Sequence, residues 1–164
     1  MASADVLISS FVTLFLVIDP IGNATYYAVA ARDHSERQKM QMAFKACMVS
    51  LIVVPLFIWQ GSALLRVIHV HLPSFQIAGG LFLLLVAIKM VLGDEEQTAD
   101  TSSTGAKDIA IFPLAIPFIA GPDTLAASLL LATRDDFSGF TSMILLGFVG
   151  VLAVSLILLL LAGP

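Results

Sequence analysis

Charge is what this sequence has least of. Asp, Glu, Lys and Arg make up 12% of its 164 residues, while hydrophobic residues reach 59% and mean hydropathy is +0.99. That balance excludes an ordinary soluble domain. The few basic residues are scattered and the net charge is −4, so no basic patch is available for nucleic acid. Cysteine is nearly absent: Cys47 alone cannot close an intramolecular disulfide and reads as a small apolar side chain in a helix. A His-Glu-x-x-His motif and paired histidines within an apolar run are both missing, and His69-Val-His71 has no carboxylate or cysteine neighbour. No metal, no other cofactor and no enzymatic activity are therefore expected.

What remains is long apolar runs. A spanning helix needs about 20 mostly apolar residues, and the chain divides into five such stretches, 6–31, 42–59, 75–92, 109–133 and 141–162. The last carries no charge and is the clearest span. The N-terminus lacks the basic region of a cleavable signal, so the first run is expected to be retained. Between runs lie a polar turn from Arg32 to Lys39, a mixed loop over 60–74, and an acidic segment over 93–108 that reads as a flexible polar linker.

Basic residues orient the spans. Arg32, Arg37, Lys39 and Lys107 fall in loops of one face, and Lys45 and Lys89 lie close enough to snorkel there. Only Arg66 and Arg134 fall on the other. The first face is expected to be cytoplasmic, with the N-terminus outside.

Two of the runs are interrupted. Asp19-Pro20-Ile21-Gly22-Asn23 breaks the first and Gly121-Pro122-Asp123-Thr124 breaks the fourth. Lipid cannot satisfy freed backbone groups, so such breaks persist only where protein or a wet cavity meets them. Matched broken helices in two halves of a chain point to a transporter's binding site. Proline removes an amide donor and disfavours helix for the residue before it. Asn23 is expected to cap the half-helix 24–31, and Asp123 or Thr124 the half-helix 125–133. Helix N-termini suit a carboxylate. The carbonyl ends opposite, with an acidic side chain, suit an ammonium or a coupling cation. A small zwitterion meets both demands.

Three blocks resemble the MarC family of six-span bacterial inner-membrane proteins, some of which are described as transporters of small neutral amino acids. Asp19-Pro20-Ile21-Gly22-Asn23 is similar to the family's D-P-x-G-N. Ala78-Gly79-Gly80 followed by Leu85 to Met90 is similar to its third span. Phe112-Pro113 to Pro117 with Ala120-Gly121-Pro122 is similar to its fourth. The likeness covers roughly residues 6–162. Thr25 stands where the family usually has proline, Asp123 stands where a neutral residue is expected, and the family's sixth span is missing.

The expected fold is an all-α integral membrane protein of about five transmembrane helices, an incomplete three-plus-three inverted repeat with its first and fourth helices broken. Residues 1–92 form the first repeat, 93–108 the linker, and 109–164 a second repeat lacking its third helix; truncation is expected rather than a five-span design. The expected function is transport of small neutral amino acids or similar zwitterionic solutes across a bacterial inner membrane. The site comprises Asp19, Pro20, Gly22, Asn23, Thr25, Gly121, Pro122, Asp123 and Thr124. The expected partners are the solute, the lipid bilayer, a proton or sodium as coupling ion, and further copies of the chain. A non-transporting assembly or regulatory subunit is the alternative. An intramembrane aspartyl protease fits poorly, because neither Asp19 nor Asp123 has the glycine-flanked setting of such a dyad. Multidrug efflux also fits poorly, since one tryptophan and two tyrosines cannot line a large aromatic cavity. The two breaks are expected to approach within roughly 15 Å, about one and a half helix diameters.

Overall fold

The computed structural model describes residues 3–92, 114–115, 119–133 and 139–162. Among them all regular structure is helical: α1 (Ser3–Ile18), α2 (Pro20–Ala30), α3 (Glu36–Val67), α4 (Leu72–Leu92), α5 (Pro122–Thr133) and α6 (Thr141–Ala162). Among the described residues three stretches are long and apolar enough to cross a membrane: Ser3–Ala30, Glu36–Val67 and Thr141–Ala162. The expected linker over 93–108 lies outside the described residues, as does most of the first half of the fourth run.

The helix boundaries have local causes. α3 starts where Ser35 and Gln38 form a capping box: Gln38 N–H donates to Ser35 Oγ at 3.4 Å and Ser35 N–H to Gln38 Oε1 at 3.0 Å. Lys39 adds an ion pair to Glu36 at 2.9 Å in the same turn. The mixed loop expected from residue 60 begins later, because α3 continues to Val67 through Gln60-Gly61-Ser62. Gly61 is buried, and a Cβ there would lie 2.8 Å from the ring of Phe57. Its glycine makes room for a ring; it does not break the helix. The true end comes at His69, in the left-handed region at φ 56°. There Val70 N–H donates to the Leu65 carbonyl at 2.9 Å and His69 N–H to that of Arg66 at 3.1 Å. This is a Schellman ending with histidine in the place glycine usually takes.

α6 organises the core. Its buried positions Ile144, Phe148, Val151, Ser155 and Leu159 recur at helical spacing. It packs against α1 and α2, and also against α3. Contact with α1 is close because Gly147 and Gly150 lack side chains: a Cβ on Gly147 would lie 3.1 Å from Phe11 N, and one on Gly150 3.2 Å from the Phe11 ring. Near their other ends, Tyr27 and Leu159 line one cavity. α1–α2 and α6 therefore run in the same direction. α5 packs against α1, α3 and α4 and also touches α6. Many large apolar side chains point outward, among them Ile52, Leu56 and Trp59 at 66%, 61% and 80% exposure, as lipid-facing positions do. Buried Ser50 and Ser155 donate back to their own helices, to the Ala46 and Val151 carbonyls, each at 2.9 Å.

Candidate functional site: two helix breaks

The first break is built by four residues with separate tasks. Pro20 has no N–H and opens α2 at the position where that absence costs least. Asp19 turns left-handed, at φ 46° and ψ 69°, a region that Asp tolerates better than most residues. Its N–H still closes α1, donating to the Phe15 carbonyl at 3.1 Å. Its carboxylate Oδ1 then accepts the Gly22 N–H at 3.1 Å. A Cβ on Gly22 would collide with the second oxygen of that carboxylate, so glycine here makes room for the cap.

Asn23 works in the opposite direction. Its side chain is 6% exposed, and its Nδ2 donates to the Ile18 carbonyl at 2.6 Å. In an unbroken helix that carbonyl would take the N–H of Gly22, which Asp19 has claimed. The expectation that Asn23 caps α2 is thus corrected: Asp19 caps α2 forward, and Asn23 satisfies the end of α1 behind it. The left-handed turn at Asp19 causes the exchange, because it brings its carboxylate over the first α2 amides. Thr25, in place of the family's proline, donates its hydroxyl to the Ile21 carbonyl at 3.0 Å.

The second break has a different geometry. Ala120 N–H donates to the Ala115 carbonyl at 2.8 Å, a wide i to i−5 turn. α5 then begins with Pro122, and Leu125 N–H donates to the Gly121 carbonyl at 2.9 Å. Asp123 and Thr124 accordingly lie inside the first turn and do not precede it. Asp123 Oδ1 accepts the Thr124 N–H at 2.7 Å. The Thr124 hydroxyl is fully buried and has no hydrogen-bond partner among the described residues. α4 braces this break: a Cβ on Gly79 would collide with Cβ of Pro122, whereas Gly80 has nothing within 4 Å.

The two breaks differ in exposure. Asp19, Gly22 and Thr25 face outward; Pro20, Asn23, Gly121 and Thr124 are buried, and Pro122 and Asp123 are half-buried. At 1.5 Å per residue Asp19 lies roughly 24 Å from Ser3 and roughly 17 Å from Ala30. A hydrocarbon layer about 30 Å thick centred on Ser3–Ala30 takes in Asp19, and an exposed carboxylate there is costly. α1 packs against α5. Ile18 before the first break and Ile119 and Ala120 before the second belong to one buried cluster. Among the described residues no group of His, Cys, Asp and Glu could hold a metal ion.

Residues 4–164 match the profile described as MarC family integral membrane protein. The chain belongs to the MarC family. Among curated MarC relatives, a UPF0056 membrane protein of Buchnera aphidicola subsp. Schizaphis graminum is 31% identical over 126 residues, covering 77% of this chain and 63% of that one. The UPF0056 inner membrane protein YhgN of Escherichia coli K12 is 29% identical over 126 residues, covering 77% and 64%. YvbG of Bacillus subtilis, another UPF0056 membrane protein, is 24% identical over 155 residues, covering 91% and 74%. The chain thus spans under two thirds of the first and second of these relatives. No solved structure matches it. It is an integral membrane protein whose regular structure is helical among the described residues, and in this MarC chain the D-P-x-G-N block is the reciprocal cap just described.

Sequence reasoning missed two contacts near the breaks. Tyr27, near the end of the first run, is 1% exposed and donates its hydroxyl to the Lys39 carbonyl at 2.6 Å. Gly79, in the third of the apolar runs, packs closely against Pro122, a pairing with no signal in sequence.

Proposed function

We propose that this MarC protein carries small neutral amino acids or similar zwitterions across a bacterial inner membrane, with its site between the two breaks. The observation that carries the reading is the Asp19 carboxylate. It sits outward at membrane depth, spends one oxygen on the α2 cap, and its second oxygen has no partner among the described residues. A carboxylate in that position calls for water, a cation or a substrate ammonium. The partnerless Thr124 hydroxyl in the second break offers a donor and an acceptor. The positive ends of the α2 and α5 dipoles would favour the substrate carboxylate.

The packing supports an inverted repeat. Exchanging the first broken segment with the second, and α3 with α6, maps the α1–α2 packing on α6 onto that of α5 on α3. The same exchange leaves the α1–α5 and α3–α6 pairs in place. It also maps the α5–α6 contact onto the Tyr27–Lys39 bond between α2 and α3. The common direction of α1–α2 and α6 fits an odd number of crossings between them. In this reading 1–92 is the first unit and 109–164 the second, and the face bearing Arg32, Arg37 and Lys39 is cytoplasmic, with the N-terminus outside. The protein performs no covalent chemistry, and a proton or sodium drives transport.

Proteoliposomes test this directly. The purified chain should move alanine-sized neutral amino acids, with a rate that responds to an imposed proton or sodium gradient. Absence of flux over a full amino-acid panel would favour a non-transporting subunit; cleavage of a membrane-embedded peptide would favour an enzyme.

A further inference from the structure

We infer that the chain holds an anionic phospholipid at a second site, distinct from the breaks, in the cavity where the end of α2, the start of α3 and the end of α6 meet. This cavity has a volume of about 500 Å³. Its polar rim is Glu36, Arg37 and Lys39, and its wall includes Met40 and Leu160. Glu36 is already paired with Lys39 at 2.9 Å, so the rim carries one cationic charge in excess. Arg37 supplies it: the residue is exposed and makes no ion pair among the described residues.

The wall decides between a free anion and a lipid. Met40 is 57% exposed and Leu160 41%, so an apolar track leads from the charged rim along the outside of α3 and α6. A soluble anion gains nothing from that track, whereas an acyl chain buries against it. The site also lies at the right depth. α2 ends at Ala30 and α3 starts at Glu36, so the rim sits at the membrane face where headgroups are. The rim is pre-shaped, because the Tyr27 hydroxyl holds the Lys39 carbonyl at 2.6 Å and so fixes the first turn of α3 against α2. A guanidinium can then clasp the phosphate through two N–H groups, while the chains follow Met40 and Leu160.

Native mass spectrometry of the delipidated full chain, titrated with phosphatidylglycerol or with phosphatidylcholine of the same acyl chains, tests the site. Phosphatidylglycerol should be retained in preference. Arg37→Gln should weaken that retention about fivefold, the effect of one basic side chain near an anionic surface, and leave phosphatidylcholine unchanged. Arg37→Lys should keep the preference in part. Arg32→Gln should change neither lipid, since Arg32 lies in the same turn but outside the cavity lining. Each variant is compared only where its size-exclusion profile matches that of the unmodified chain, and Arg37, being exposed, tolerates replacement. Equal retention of both lipids, or unchanged phosphatidylglycerol binding in Arg37→Gln, would overturn the proposal. So would displacement of the lipid by millimolar inorganic phosphate, which would make the rim a simple anion site.

Discussion

Replacing Asn23 by alanine isolates the bond that joins the two halves of the first broken helix. The Asn23 amide is buried and donates to the Ile18 carbonyl at 2.6 Å. The usual helical donor to that carbonyl, Gly22 N–H, is engaged by Asp19. Without the amide the carbonyl is left unpaired in a low-dielectric interior, at about 1–3 kcal/mol. Alanine returns part of this through better helix propensity, about 0.6 kcal/mol at most. The loss wins. For a chain of this size each kcal/mol moves Tm by roughly 2–4 °C. Thermal unfolding in one detergent should therefore show a fall of several degrees. Asn23→Asp should be at least as damaging, because it sets one acceptor against another. A Tm for Asn23→Ala within 1 °C of the unmodified protein would refute the reciprocal cap, since the Ile18 carbonyl would then be satisfied without Asn23.

Other outcomes follow from the same geometry. Asp19→Asn keeps an oxygen for Gly22 N–H and tolerates the left-handed turn. It should unfold within about 0.5 kcal/mol of the unmodified protein yet lose solute binding by calorimetry; full binding would reduce Asp19 to a cap. Gly79→Val should cost about 1–3 kcal/mol by driving against Pro122, while Gly80→Ala, inside α4 with open space around it, should add about 0.5–1 kcal/mol in the same unfolding assay. His69→Gly should raise Tm by roughly 2–4 °C, relieving about 1 kcal/mol at a left-handed position. In a Cys47→Ala background, a cysteine at Ser35 should resist an impermeant thiol reagent in intact cells; labelling from outside would reverse the orientation.

Much of the fold could be read from composition and spacing. The run 141–162 coincides with α6 because no charged residue, proline or break interrupts it. Both breaks were visible because proline cannot donate and sits where a helix should continue. The third span begins at Leu72, three residues before the expected 75, since Pro73 and Ser74 are tolerated in a first turn. The second span was read short at both ends, because a polar start and a glycine near the end look like loops unless the capping box and the Phe57 ring are seen. The division of labour between Asp19 and Asn23 could not be read. Both are good caps, and only the backbone turn decides which amide or carbonyl each one meets. Pairings distant in sequence, such as Gly79 with Pro122 or Tyr27 with Lys39, leave no local periodicity at all.

The close approach of Phe11 to Gly147 has a consequence for how the chain is made. α1 is made before every other described helix, but the helix it packs against is α6, the last described one to emerge. With roughly 140 residues between them, synthesis at 5–20 residues per second separates the partners by roughly 7–30 s. During that interval the Phe11 face of α1 and the glycine-shaped groove on α6 are unpacked, and the Asp19 carboxylate waits in a bilayer that solvates it poorly. The local caps at Asp19 and Asn23 need nothing beyond their own segment, so they can form before any partner arrives. The broken helix can thus satisfy its own backbone during biogenesis and await α6 as a finished part.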